Sequence, residues 1–348
     1  MSDSHPTVSV LMPVRDAGEH LYEAMSSLVS QSLGNIEVVC VDDGSTDGSG
    51  ARLDEWAARD ARIRVEHQAA RGIVSALERA RALARAPLLA RMDADDVAEP
   101  ARLERQLRYL EEETELAGCG CHVRYFPASI VRDGARRYEA WLNSLVDAES
   151  VAEARFVECP LAHPTFMVWS DALDDVGGYA DGPWPEDYDL VLRLFAGGHR
   201  LGVVPEVLHH WREHGERLSR TDARYAPDAF LACKVHHLRE TLLPPGRPVI
   251  VWGAGPIGKR WSKALSRAGA NVVAFVDVDP KKVGQTIHDA PVLDGSAWPE
   301  EAMDALQRRS DEPPLHLAAV GQPGARERIR GVLESAGARP LRDFVEVA

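Results

Sequence analysis

The sequence predicts an α/β protein in two parts. The first is a doubly wound sheet with helices on both faces, and the second is a smaller α/β unit that begins near residue 245. Three observations carry this prediction. Short apolar runs alternate with helical patterns from Val8 to Met92. The runs end at proline, aspartate or glycine, which stop strands or open turns. The strand, turn and helix pattern then restarts after the linker Pro244-Pro245-Gly246-Arg247-Pro248.

The first strand is expected over Val8 to Met12, ending at Pro13. A helix follows from about Glu19 to Ser30, with Leu21, Met25, Leu28 and Val29 on one face. Ile36 to Val41 reads as a second buried strand that stops at Asp42-Asp43-Gly44-Ser45. Further elements are expected as a helix from Thr46 to Ala58, capped by Asp47 or Ser45, a strand from Ile63 to Glu66, a helix from Ile73 to Ala84 and a strand from Leu88 to Met92. In such sheets ligands sit at the carboxyl ends of the strands, so Pro13, Asp43 and Asp93 are expected on one rim. Later helices are expected near Pro100 to Glu112, Arg137 to Leu145, Ser170 to Asp175 and Asp187 to Ala196. The expected boundaries are 1–225 for the first domain, 226–247 for a helical linker and 248–348 for the second domain.

Bulk properties narrow the class. The chain has 348 residues, 45% of them hydrophobic, and a formal net charge of −14. That balance argues against general binding to nucleic acid or to an anionic membrane face, though it leaves room for a local basic patch, and at most a peripheral membrane association is expected. No stretch approaches the roughly 20 apolar residues that cross a bilayer. The first residues lack a basic segment followed by a long apolar run, so a cytoplasmic location is expected. Five scattered cysteines suit a reducing compartment, and Cys119-Gly120-Cys121 reads as small residues on a strand rather than a metal half-site.

Val8 to Arg15, Val41-Asp42-Asp43-Gly44-Ser45-Thr46-Asp47 and Arg91-Met92-Asp93-Ala94-Asp95-Asp96 carry a resemblance. So do Pro100, Arg102-Leu103, Glu186-Asp187-Tyr188-Asp189-Leu190 and Pro205-Glu206-Val207-Leu208. Together, over roughly residues 6–220, the sequence resembles the inverting glycosyltransferases of family 2. The resemblance implies a GT-A type doubly wound mixed sheet. It also implies transfer of a sugar from a nucleotide-sugar donor, most often UDP-linked, to an acceptor hydroxyl in polysaccharide or glycoconjugate biosynthesis.

The chemistry explains the residue types. Negative charge builds on a nucleoside diphosphate as it leaves, and a divalent cation stabilises it. Mg²⁺ and Mn²⁺ favour oxygen ligands. By resemblance Asp95 is the metal ligand, and Asp93 reaches the metal through water or the donor ribose. His214 closes on the metal or diphosphate, Asp43 accepts a hydrogen bond from the base, and Pro13, Val14 and Arg15 line it. Arg71 neighbours the nucleotide. The chain departs from the family at Glu78, where asparagine is common.

An inverting transfer needs one base to take the acceptor proton. By resemblance that base is Asp187, with Glu186 orienting a glycan or lipid-linked acceptor. Trp184 offers a flat face to a sugar ring and His163 lies on the acceptor side. The first-turn position is expected to keep Asp187 ionised.

In the second domain Gly253, Gly255 and Gly258 follow a strand and open a helix, with Asp277 at the end of the next strand. This is a dinucleotide-binding fingerprint in its expected context. The domain resembles small Rossmann-like units appended to sugar-modifying enzymes, which bind a nucleotide or dinucleotide or act as scaffolds. Two alternatives therefore stand beside the transferase: an NAD-dependent oxidoreductase run by this domain, and an inactive sugar-nucleotide-binding scaffold. The sequence leaves the oligomeric state open.

Overall fold

A computed structural model describes residues 5–215, 217–296, 312–322 and 324–348. They fall into two compact units, 1–152 with 160–222 and 153–159 with 223–348. The short segment 153–159 belongs with the second unit, which no sequence pattern foretold.

The first unit is built on eight strands: β1 (Val8–Val14), β2 (Ile36–Asp43), β3 (Ile63–Gln68), β4 (Leu88–Arg91), β5 (Val97–Ala98), β6 (Leu116–Phe126), β7 (Met167–Trp169) and β8 (Arg200–Arg212). Their order is β3-β2-β1-β4-β7-β6-β8-β5. β3, β2, β1 and β4 run parallel, and β7 runs antiparallel to both neighbours, so the sheet is mixed. The helices are α1 (His20–Val29), α2 (Ser49–Arg59), α3 (Ile73–Leu83), α4 (Arg102–Glu112), α5 (Asp133–Leu142), α6 (Ala148–Ala154), α7 (Ser170–Asp175) and α8 (Glu186–Ala196), with α9 (Leu218–Thr221) beyond β8.

Local sequence accounts for the left half of the sheet. β1 and β2 are buried along nearly their whole length and are mostly apolar, as central strands of a covered sheet are, with Ser9 and Glu37 paired to each other within it. α1 repeats apolar residues at helical spacing, and Leu21, Ala24, Met25 and Leu28 are fully buried in the core. Full burial of a leucine such as Leu28 is worth about 1.5–3 kcal/mol. α2 starts later than expected, after Gly48 in a left-handed conformation at φ 89°. Asp47 still satisfies the turn, accepting the Ser49 amide at 2.9 Å.

The right half was less legible. β6 and β8 form the longest pairing, yet Pro205 and Glu206 interrupt the β8 pattern. The register steps from Cys121 opposite Val204 to His122 opposite Val207, so these two residues leave the ladder as a bulge. A bulge is where a strand tolerates a proline, which has no N–H to donate. Cys119 and Cys121 lie buried on β6 as free thiols.

The second unit has α10 (Pro227–Thr241), β9 (Pro248–Trp252), α11 (Pro256–Arg267), β10 (Asn271–Asp277), β11 (Thr286–Ile287), β12 (Ala290–Asp294), β13 (Leu315–Ala318), α12 (Ala325–Ser335) and β14 (Phe344–Glu346). The strand order is β11-β12-β10-β9-β13-β14, parallel except for the β11–β12 hairpin. Its core gathers Ile250, Trp252, Ala274, Val276, Leu333 and Phe344. Among the described residues no helix is long and apolar enough to cross a membrane.

Candidate active site

The parallel register sets Val14 opposite Asp42 and Leu11 opposite Arg91. The carboxyl ends of β2, β1 and β4 therefore share one rim, which carries Pro13, Val14, Arg15, Asp43 and Asp93. Val14 is buried, whereas the Arg15 side chain is 53% exposed and its Nη1 lies 3.5 Å from Asp43 Oδ2. Asp43 is buried and its carboxylate accepts three hydrogen bonds, from Gln68 Nε2 at 2.8 Å, the Arg71 amide at 2.7 Å and the Gly72 amide at 2.8 Å. It holds the 70–72 turn against β2. That approach is close: a Cβ on Gly44 would meet the Ala70 nitrogen at 2.8 Å. Arg71 reaches Asp43 through its backbone, and its side chain is exposed.

After β4 the chain turns sharply and presents three carboxylates. Asp93, Asp95 and Asp96 each bring an oxygen within 4.8 Å of the others. His214 Nε2 contacts Asp95 Oδ2 at 2.6 Å. Burial works to raise the Asp95 carboxyl, but the His214 hydrogen bond and charge, with Arg217 beyond, hold it below its ordinary value. Asp96 is closed off by β8: its Oδ1 accepts the Arg212 amide at 2.7 Å and its Oδ2 meets His209 Nε2 at 2.9 Å. Burial pushes the Asp96 carboxyl well above its usual range, and repulsion from Asp95 and Asp93 adds to this. A hard cation with oxygen preference fits such a donor set. Its charge would relieve the repulsion that the triad otherwise carries.

Arg102 stands behind the triad, fully buried. Its Nη2 donates to the Arg91 carbonyl at 2.5 Å, its Nε to Gln106 at 3.1 Å, and its Nη1 lies 3.3 Å from His209 Nδ1. A guanidinium only donates, so His209 Nδ1 is the acceptor and Nε2 carries the proton toward Asp96. Burial and the Arg102 charge keep His209 neutral, with its pKa well below the ordinary value.

Across from the triad, α8 begins with Glu186 and Asp187. Asp187 is half-buried, and its carboxyl is pushed up to about 7 by burial and by Glu186. This corrects the expectation that the helix start alone keeps it ionised: desolvation outweighs the dipole. Glu186 is 1% exposed, its oxygen 3.9 Å from His163 Nδ1. His163 is also buried, with Nε2 3.1 Å from the Tyr179 hydroxyl, and burial drives its pKa down. Both face the interior. Trp184 is locked by its edge, Nε1 donating to Asp189 Oδ1 at 2.9 Å.

Arg91 lies buried between these acids. Its Nη1 is 2.5 Å from Asp93 Oδ2, and its charge also reaches Asp96 and Asp187. The contact with Asp93 is short but poorly angled, so Nε and Nη1 have no well-directed hydrogen bond among the described residues. Glu78 bonds the Tyr179 amide at 2.8 Å and pairs with Arg81 at 2.7 Å, so it shapes the turn before α8. Sequence reasoning gave no role to Arg91, Asp96, Arg102 or His209. The available signal was the alternation of His209 and His210 on one strand, which sends one inward and the other to Glu99 at 2.5 Å.

In the second unit Gly253 adopts φ 105°, where a Cβ would meet the Ala319 carbonyl at 2.8 Å, and a Cβ on Gly258 would lie 1.8 Å from the Gly253 carbonyl. Gly255 faces open space. Asp277 Oδ2 accepts the Ala254 amide at 2.8 Å and pairs with Lys282 Nζ at 3.0 Å. The acid that a dinucleotide fingerprint would offer to a ribose hydroxyl is thus engaged by a lysine of the same unit.

Comparison with known proteins identifies the family of the chain and its fold. Residues 9–176 match the family described as glycosyl transferase family 2. The putative glycosyltransferase EpsE of Bacillus subtilis is 30% identical over 241 residues, 67% of this chain and 84% of the relative. The O-antigen biosynthesis glycosyltransferase WbnJ of Escherichia coli is 26% identical over 239 residues, 68% of this chain and 89% of the relative. Among solved structures, S. aureus TarS 1-349 in complex with UDP-GlcNAc superposes with a TM-score of 0.56 at 16% identity, over 75% of this chain and 72% of that one, which shows a shared fold. The extent and identity of the match to EpsE establish that the chain belongs to glycosyl transferase family 2 and is a glycosyltransferase.

Proposed function

We propose that this glycosyltransferase inverts the anomeric centre as it moves a sugar from a UDP-linked donor to an acceptor hydroxyl, in the assembly of a cell-surface polysaccharide or glycoconjugate. The observation that supports it best is the pairing of two acid groups around Arg91. On one side Asp93, Asp95 and Asp96 gather within 4.8 Å, and on the other Asp187 has a carboxyl raised to about 7. A base works best when its pKa lies near the working pH. Asp187 takes the acceptor proton as the acceptor oxygen attacks the anomeric carbon, and the bond to the nucleoside diphosphate breaks on the opposite face.

Asp93, Asp95 and Asp96 would hold Mn²⁺ or Mg²⁺ with His214 alongside, and the ion would offset charge on the diphosphate. Asp43, Pro13, Val14, Arg15 and the Arg71 turn form the base side. Trp184 borders the acceptor side. Glu186 and His163 act from the interior, by orienting Asp187 and the Tyr179 turn. The UDP preference rests on the family resemblance, and the polysaccharide role on relatives such as the O-antigen biosynthesis enzyme WbnJ.

The oxidoreductase alternative is weakened by the Lys282 pairing of Asp277. The inactive-scaffold alternative is weakened by the retention of the triad and Asp187. A thermal-shift panel of nucleotide sugars, with and without Mn²⁺, followed by donor-turnover assays, tests the proposal. Metal-dependent stabilisation by a UDP-sugar and its turnover are expected. Donor binding without any turnover across a broad acceptor set would favour the scaffold instead.

A further inference from the structure

α11 carries Lys259, Arg260, Lys263 and Arg267 and no acidic residue, in a chain whose net charge is −14. Its apolar face is used inward, where Trp261 and Leu265 are buried. Its outer face borders a groove of about 730 Å³ shared with α10. The floor is apolar, with Leu231, Val235 and Ala264, and the rim carries Arg239, Arg260, Lys263 and Arg267 against Asp228 and Glu240. Arg260 is paired to Asp228 at 2.6 Å. Among the described residues Arg239, Lys263 and Arg267 have no ion pair, and all three are exposed.

We propose that this groove docks the second unit onto an anionic bilayer surface, with the basic rim meeting lipid phosphates. The lining has no Asn, Gln, Ser or Thr to read a peptide backbone. Apart from His236 it has no aromatic ring on which a base would stack. What remains is the three cations without an ion pair among the described residues, Arg239, Lys263 and Arg267, beside the paired Arg260, an arrangement that suits a surface of diffuse negative charge. The remaining acidic surface does not prevent this, because screening confines each charge to about 8–10 Å at ordinary ionic strength. The inference is independent of the catalytic reading, since it involves only α10 and α11.

Flotation of the full chain with vesicles tests it. Vesicles of equal parts phosphatidylglycerol and phosphatidylcholine are compared with pure phosphatidylcholine, at low and high salt. Flotation with the anionic vesicles alone, lost at high salt, is expected. The triple variant Arg239→Glu, Lys263→Glu, Arg267→Glu should lower partitioning by about tenfold or more. A control reversal at exposed Arg108, Arg132 and Arg137 of the first unit should leave it within about twofold. Thermal melts of both variants check the fold, and the salt series reads the wild type alone. Equal flotation with both lipids, none with either, or equal loss in the control overturns the proposal.

Discussion

Asp96 and His209 meet at 2.9 Å, Oδ2 to Nε2, with no more than 1% of either side chain exposed. The pair ties the acidic loop after β4 to β8, the strand that leads to His214. Asp96 is thus held from behind, while Asp93 and Asp95, at 29% and 26% side-chain exposure, remain open.

Replacing His209 by phenylalanine should act on metal binding before it acts on the fold. The ring volume is kept, but Asp96 loses one of its two donors, keeping only the Arg212 amide, and Arg102 loses an acceptor. An unsatisfied buried group costs about 1–3 kcal/mol. Partners behind a metal ligand typically change affinity 10–100-fold. Calorimetric titration of Mn²⁺, with no donor present, should show that weakening, with a modest drop in Tm. Unchanged Mn²⁺ affinity would remove His209 from any positioning role.

Arg91 should be far less replaceable. It is a buried cation facing two groups of carboxylates, and removing one partner of such a set costs about 3–5 kcal/mol. Arg91→Leu is expected to lose that much in chemical denaturation. Adding Asp93→Asn should restore part of it, because the Arg91–Asp93 contact at 2.5 Å is then broken from both ends. Simple additivity of the two changes would mean the pair is uncoupled.

How much of this was legible follows from the geometry. The strand ends that carry Pro13, Asp43 and Asp93 could be read because apolar runs stop abruptly at them. Asp95 and His214 were expected near one metal or diphosphate only through the family resemblance, since 119 residues separate the two, and their direct contact was not foreseen. Arg91 and Arg102 were read only as parts of the family motifs, and His209 was given no role, because charged residues are ordinarily assigned to the surface and nothing local announces burial. Asp187 was placed at the start of its helix within a residue, but its raised pKa depends on the neighbours that exclude water.

Asp187 makes a pH prediction with a definite sign. Activity requires the ionised form, so kcat/KM should fall on the acid side with an apparent pKa near 7. Asp187→Asn should lower turnover by about 10²–10⁴-fold while donor binding persists. Stability should move the other way. The folded carboxyl holds its proton up to about 7, against an ordinary value of 3.8, so ionisation opposes folding. The penalty is absent below pH of about 4 and complete above about 7. Asp187→Asn should therefore gain on the order of 1–3 kcal/mol at pH 8 and little at pH 4. Equal gains at both pH values would show that burial does not govern this carboxyl.

The glycines of the second unit separate packing from ligand contact. A Cβ on Gly258 would fall 1.8 Å from the Gly253 carbonyl, so Gly258→Ala forces the helix off the strand. Overpacking of this kind costs about 1–3 kcal/mol or more. Gly255 has an ordinary negative φ of −84° and nothing within 4 Å of its Cβ position, so Gly255→Ala should leave Tm within about 1 °C. If the turn cradles a phosphate, however, that added methyl blocks the close backbone approach the phosphate needs. Titration of UDP, NAD and NADP into wild type and Gly255→Ala then decides between roles. Binding by wild type that the variant loses marks a phosphate site. Absence of binding by either protein, with Gly258→Ala still destabilised, marks a turn in which Gly253 and Gly258 serve packing alone.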